Sequence, residues 1–172
     1  EQFDTYVAKQ LVSYIEAHYR TIGMPAARAL LGNSQGGYCS VALWSHHPDV
    51  FASAISFSGY FVSGILSSQT RNAPLPFGRN VPYETSQSPI DIVPQMPMAV
   101  RDRSFVVLSG GTDKTLFASQ LRTCAGVLDE WHVPMALLTS PFGDSWQTPR
   151  DLLPTVLELL AERMVNLGVF RP

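Results

Sequence analysis

The chain has 172 residues, 45% of them apolar and 15% charged, with a formal net charge of −2. That length supplies a core for one domain and falls short of two comfortable ones, so residues 1–172 are expected to fold as a single unit. The near-neutral charge, without a lysine or arginine run, argues against nucleic acid and against a basic membrane-binding face. No stretch approaches the roughly 18 consecutive apolar residues that a membrane span needs.

In chain order, Glu1-Gln2-Phe3-Asp4 shows no initiator methionine and no signal-peptide pattern. The expectation is a mature or trimmed product, or part of a longer protein, and no compartment is assigned. Tyr6 to Arg20 reads as an amphipathic helix, with Val7, Leu11, Tyr14, Ile15 and His18 at helical spacing, stopped by Gly23 and Pro25. A strand at Arg28 to Leu31 leads through Gly32-Asn33-Ser34-Gln35-Gly36-Gly37 into a helix from Gly36 to about His46, closed by Pro48. Phe51 to Phe57 is a second strand, ended by Ser58-Gly59.

Residues 62–103 carry six of the 13 prolines and no steady period. This predicts a long excursion with one short helix, a lid or pocket wall. Regularity returns with a strand at Ser104 to Leu108, a helix at Leu116 to Trp131, a strand at Met135 to Thr139 and a helix at Leu152 to Leu167 before Gly168. Alternating strands and helices point to the α/β class, with a parallel sheet of about four strands and a ligand site beyond their carboxyl ends. Cys39 and Cys124 are too few for a disulfide framework and sit in apolar helical contexts, so buried free thiols are expected.

The run Gly32-Asn33-Ser34-Gln35-Gly36 carries the chemistry. Gly-x-Ser-x-Gly between a strand and a helix is the layout of a nucleophile elbow, which makes Ser34 the candidate nucleophile. By chance the pattern alone arises in roughly one chain in twenty of this length at ordinary glycine and serine usage, so the strand-turn-helix context carries the weight. A turn this tight packs strand against helix, which predicts that Gly32 and Gly36 must lack a Cβ, and Gly37 with them. The Gln35 amide would face the oxyanion of a tetrahedral intermediate.

In α/β hydrolases the triad order is nucleophile, acid, histidine, each past the carboxyl end of a strand. Asp113, in Ser109-Gly110-Gly111-Thr112-Asp113, fills the acid slot, with a turn or helix-capping aspartate as the competing reading. After the last strand, where the histidine belongs, the chain reads Ser140-Pro141-Phe142-Gly143-Asp144-Ser145-Trp146. His18, His46, His47 and His132 all fall elsewhere and read as structural or exposed. Asp144 is a poor replacement for an imidazole, since two neighbouring carboxylates push each other towards protonation.

These landmarks, with Tyr14-Ile15-Glu16-Ala17-His18-Tyr19-Arg20, His47-Pro48-Asp49-x-Phe51 and Ser56-Phe57-Ser58-Gly59, make the chain resemble the esterase D-like α/β hydrolases. That group takes in S-formylglutathione hydrolases, feruloyl esterases and mycolyltransferases. The resemblance implies that Ser34 is the nucleophile, that Asp113 is the acid, that Asp144 stands at the histidine of the family's Gly-His-x-Trp segment, and that His47 is structural. It also implies that the chain corresponds to the carboxyl-terminal part of the fold. The family's earlier strands, and the loop that gives the second oxyanion amide, are then expected outside it. The elbow strand would expose an edge that another copy or a further segment pairs.

Two readings follow. One is a serine-hydrolase-type carboxylesterase or acyltransferase working through an acyl-enzyme on Ser34, impaired by Asp144. The other is a non-catalytic binding or accessory domain on the same scaffold. Tyr38, Tyr60, Phe61 and Trp146 are candidates to wall a pocket for a small ester or acyl substrate, with core packing as the competing fate. No cluster has metal-ligand spacing, and no cofactor is implied.

Overall fold

The computed structural model describes residues 2–62, 80–111, 116–143 and 145–170. The chain opens on a continuous helix of three segments: α1 (Gln2–Thr5), a π-helical stretch (Tyr6–Leu11) and α2 (Val12–His18). Strand β1 (Ala29–Asn33) follows a short turn of 3₁₀-helix and runs into α3 (Gln35–His46), then β2 (Ser53–Phe57). Short helices α4 (Val81–Ser86), α5 (Pro89–Ile92) and α6 (Met98–Arg101) precede β3 (Phe105–Gly111). Helix α7 (Leu116–Glu130), strand β4 (Met135–Ser140) and the long α8 (Gln147–Asn166) complete the order.

The four strands lie in the order β1-β2-β3-β4, and each neighbouring pair is parallel. Parallel neighbours need a crossover between them, which the intervening helical segments supply. The α/β class and the four parallel strands expected from the sequence are what the structure shows.

Period-2 alternation sorts the strand residues onto two covered faces. Ala54, Val106 and Leu108 point to the side where Val41 and Trp44 of α3, Leu121 and Leu128 of α7, and Phe61 pack. Ile55, Phe57, Phe105 and Val107 point to the other side, where Val156 of α8 meets them with Leu152, Leu159 and Leu160. Both central strands are buried along their whole length, and each large apolar side chain taken fully from water contributes about 1.5–3 kcal/mol. At β1 the second face runs out: Leu31 lies opposite Ile55 in register yet is 53% exposed. Helix α8 packs chiefly on β2, β3 and β4.

The leading helix is tied rather than buried. Glu16 accepts from Arg28 at the start of β1 (2.6 Å), and Asp4 meets His47 Nε2 (2.7 Å), while Ala8 is the one core residue it contributes. Tyr14 and Ile15, expected on its apolar face, are 55% and 37% exposed.

Several boundaries differ from the sequence reading. The excursion expected to hold one short helix carries three α-helices among its described residues, each with a proline next to or at its start, where the missing N–H is no loss. Helix α8 begins at Gln147 rather than Leu152, because Pro149 falls in the first turn, whose amides have no intrahelical acceptor. Cys124 is buried and Cys39 half-buried, both free, and burial pushes both thiols upward.

Candidate active site

Ser34 is the single residue between β1 and α3, with φ 53° and ψ −115°. An L-residue in that region stores strain of about 1–3 kcal/mol, which persists only where the surroundings impose it. The imposing contacts are identifiable. The Ser34 amide donates to Phe57 O at 2.8 Å, extending the β1–β2 ladder one residue past the strand. A Cβ on Gly32 would lie 2.1 Å from Gly36 O, and one on Gly37 would lie 2.6 Å from Ser56 Oγ. Strand end and helix start are therefore packed backbone on backbone. Gly36 corrects the sequence reading: a Cβ there meets nothing within 4 Å. Its backbone is the surface that Gly32 must clear, and its own side-chain direction is open.

The Ser34 hydroxyl makes no capping bond to its helix. It is half-buried at the carboxyl edge of the sheet. The first α3 bond runs from Tyr38 N to Ser34 O (3.1 Å), so the amides of Gln35, Gly36 and Gly37 precede any intrahelical acceptor. Gln35 is exposed, and its N–H belongs to a helix start whose dipole favours negative charge.

Tyr38, one turn along α3, stacks on Tyr60 with ring centroids 4.9 Å apart and planes 5° apart. Its hydroxyl donates to Gln87 O (2.9 Å), tying the elbow helix to the segment after α4. Tyr60 is almost fully buried, and burial raises its hydroxyl pKa, with the nearby Cys39 adding to the shift. Phe61 is fully buried in the core, with its amide on Gln120 Oε1. It packs into the core cluster with Val41, Trp44 and Leu121. Trp146 is 73% exposed just before α8.

Asp113 and Asp144 lie outside the described residues. All four histidines are described, and none is at the carboxyl end of the sheet. His18 is on the leading helix bonded to Tyr14 O, His46 and His47 end α3, and His132 is in the turn before β4 with φ 55°. Among the described residues no group of three potential ligands could hold a metal, and no helix is long and apolar enough to cross a membrane.

Two further residues at the carboxyl end of the sheet carry no chemical signal in the sequence. Ser58, just past β2, has φ 49° and donates its hydroxyl to Gly143 O, which Thr148 Oγ1 also reaches. Ser58-Gly59 reads as a strand terminator, and nothing local marks Thr148.

With this geometry in place, comparison with known proteins is informative. The model of the family described as "Putative esterase" matches residues 1–148. The chain belongs to this esterase family. Over 60 residues it is 40% identical to the MPT51 antigen of Mycobacterium leprae, a match covering 35% of this chain and 19% of that protein. Among solved structures, a ferulic acid esterase superposes with a TM-score of 0.77 at 18% identity, covering 94% of this chain and 61% of its own. An S-formylglutathione hydrolase from Agrobacterium tumefaciens gives 0.66 at 16% identity, covering 93% and 57%. The fold shared with these esterases is the α/β-hydrolase fold, as the resemblance in the sequence implied. The chain spans about three-fifths of the ferulic acid esterase's length.

Proposed function

We propose that this esterase-family chain carries the nucleophile side of a serine-hydrolase-type carboxylesterase or acyltransferase, acting on a small ester through an acyl-enzyme on Ser34. The observation that carries the reading is the backbone of Ser34: a strained conformation, enforced by glycine packing, that lifts one hydroxyl out of a strand-to-helix turn. In this reading Ser34 Oγ bonds to the ester carbonyl carbon, and the carbonyl π pair moves onto oxygen, where the Gln35 amide donates to it. Collapse of the tetrahedral intermediate breaks the ester C–O bond, and the alcohol leaves with the proton that Ser34 gave up. Water or an acceptor alcohol then takes the acyl group by the same steps. Tyr38, Tyr60 and Trp146 line the approach, and Asp113 is the acid.

The proton from Ser34 needs a base. Asp144 holds the position that the family resemblance gives to histidine, and a carboxylate in place of an imidazole is a weak acceptor at neutral pH. Loss of a triad histidine costs on the order of a millionfold in turnover, leaving what binding and the oxyanion site supply. The chain is therefore expected to hydrolyse an activated short-chain ester near background. Asp144→His should raise that rate at least about a hundredfold, the lower range for a positioned general base, and Ser34→Ala must abolish the gain. Strong hydrolysis by the unmodified chain that survives Ser34→Ala would overturn Ser34 as the nucleophile.

The absence of an imidazole from the carboxyl end of the sheet, among the described residues, favours a second reading: a non-catalytic binding or accessory domain. Labelling of Ser34 by a fluorophosphonate supports the enzyme, and silence at high probe concentration supports the binding module. In either reading we infer that the outer edge of β1 pairs with backbone from another copy or a further segment. Strand β1, Ala29-Leu30-Leu31-Gly32-Asn33, has no proline and no charged residue to guard that edge. Light scattering on the eluting protein tests this, and a stable monomer counts against another copy.

A further inference from the structure

Ser58 occupies a backbone conformation that glycine would adopt without strain, and it is followed by a glycine. It sits just past β2 with φ 49°, is 2% exposed, and its amide donates to Ser109 O of β3 at 2.7 Å. Its hydroxyl donates to Gly143 O at 3.2 Å. The same carbonyl accepts from Thr148 Oγ1 at 2.6 Å, and Thr148 is fully buried. Gly143 itself has φ 60°, so the turn leaving β4 is held in a shape that the carbonyl clamp and a glycine define together. The residue before Ser58 is Phe57, whose carbonyl holds the Ser34 amide. Adjacent residues at the end of β2 thus grip the elbow on one side and Gly143 on the other.

We propose that Ser58 and Thr148 are positioning residues of the esterase site: their two hydroxyls fix Gly143, past the end of β4, and the start of α8 in register with the elbow that presents Ser34. This rests on the functional reading above. A serine at a left-handed position, buried and with its hydroxyl committed, is what that role requires. A site whose parts come from separate segments needs their mutual distances held to a fraction of an ångström, and a displacement near 1 Å costs on the order of a hundredfold in rate.

Ser58→Gly separates positioning from bulk stability, because it relieves the backbone while deleting the hydroxyl. The expected result is an unchanged or higher Tm, amide exchange at Thr148 faster by at least about tenfold, and hydrolysis in the Asp144→His background lower by about tenfold or more. Thr148→Val should reproduce the exchange and rate effects, and Thr148→Ser, which keeps the hydroxyl, should restore both. Unaltered exchange at Thr148 in Ser58→Gly overturns the proposal, as does an unaltered rate in an active Asp144→His parent. A parent that is itself inactive overturns the functional reading instead, and the clamp is then judged on exchange alone.

Discussion

β1 and β3 belong to the same parallel sheet, yet they are held in different ways. Every residue of β3 is buried between two layers of helices, with a partner strand on each side. β1 pairs with β2 alone among the described residues, and Leu31 is 53% exposed. The strand that carries the candidate nucleophile is the less buried of the two. Its shape comes from close backbone contact at the elbow, where glycine is required, while the shape of β3 comes from burial of apolar side chains. Stability and function therefore draw on different residues, and substitutions should tell them apart.

The largest effect is expected where β1 depends on glycine. In Gly32→Ala the new Cβ lies 2.1 Å from Gly36 O and 2.8 Å from Gly36 Cα, backbone atoms that no rotamer change can move. A loss of about 4 kcal/mol or more is expected, or a rebuilt elbow with Ser34 unreactive. Gly36→Ala should do the opposite. It adds a Cβ into open space within a helix, and a gain of about 0.5–1 kcal/mol in urea unfolding is expected. Equal costs at the two glycines would break the account of the elbow.

The next pair compares burial directly. Leu108→Ala in β3 removes a fully buried side chain and should cost about 2–5 kcal/mol. Leu31→Ala in β1 should fall within about 0.5 kcal/mol, as exposed sites do. A cost at Leu31 that grows with protein concentration would sharpen the comparison, since it would place another copy against the open edge.

The elbow was legible because its requirement is local and steric. Gly32 and Ser34 are neighbours in sequence and in space, and the contact that excludes a Cβ is made within the same turn. Gly36 was misread because close approach was attributed to both glycines, whereas the Cβ vector of only one of them crosses the gap. The sequence pattern ends β1 at Leu31, where the elbow run begins, although Gly32 and Asn33 are weak strand formers that pair all the same. Pairing with Ser56 and Phe57 overrides that propensity. The short helices of the excursion are single turns or little more, with proline at or next to their starts, and α5 packs on α3 and α7, so no period marks them. Thr148 acts on Gly143 through a bond that exists only once α8 has packed, and no motif announces such a bond.

The smallest expected effect is at the far end of α3 from Ser34. Burial lowers the pKa of His46 from 6.5, with Asp4 pulling it back up and His47 pushing it further down, and its Nε2 has no partner among the described residues. The folded state then binds fewer protons than the unfolded chain once pH drops below about 6.5, so this contribution to stability is complete above that pH and is lost as pH falls. Asp4 and His47 pair with each other at 2.7 Å beside it, so the wild-type slope alone does not isolate His46. The difference between wild type and His46→Gln does. Unfolding free energy measured from pH 7.5 to 5 should fall more steeply in wild type than in the variant, with the two curves diverging below about pH 6.5. Parallel curves would mean that His46 protonates as easily in the folded chain as in the unfolded one, and that the helix end opposite the elbow is more open than its packing indicates.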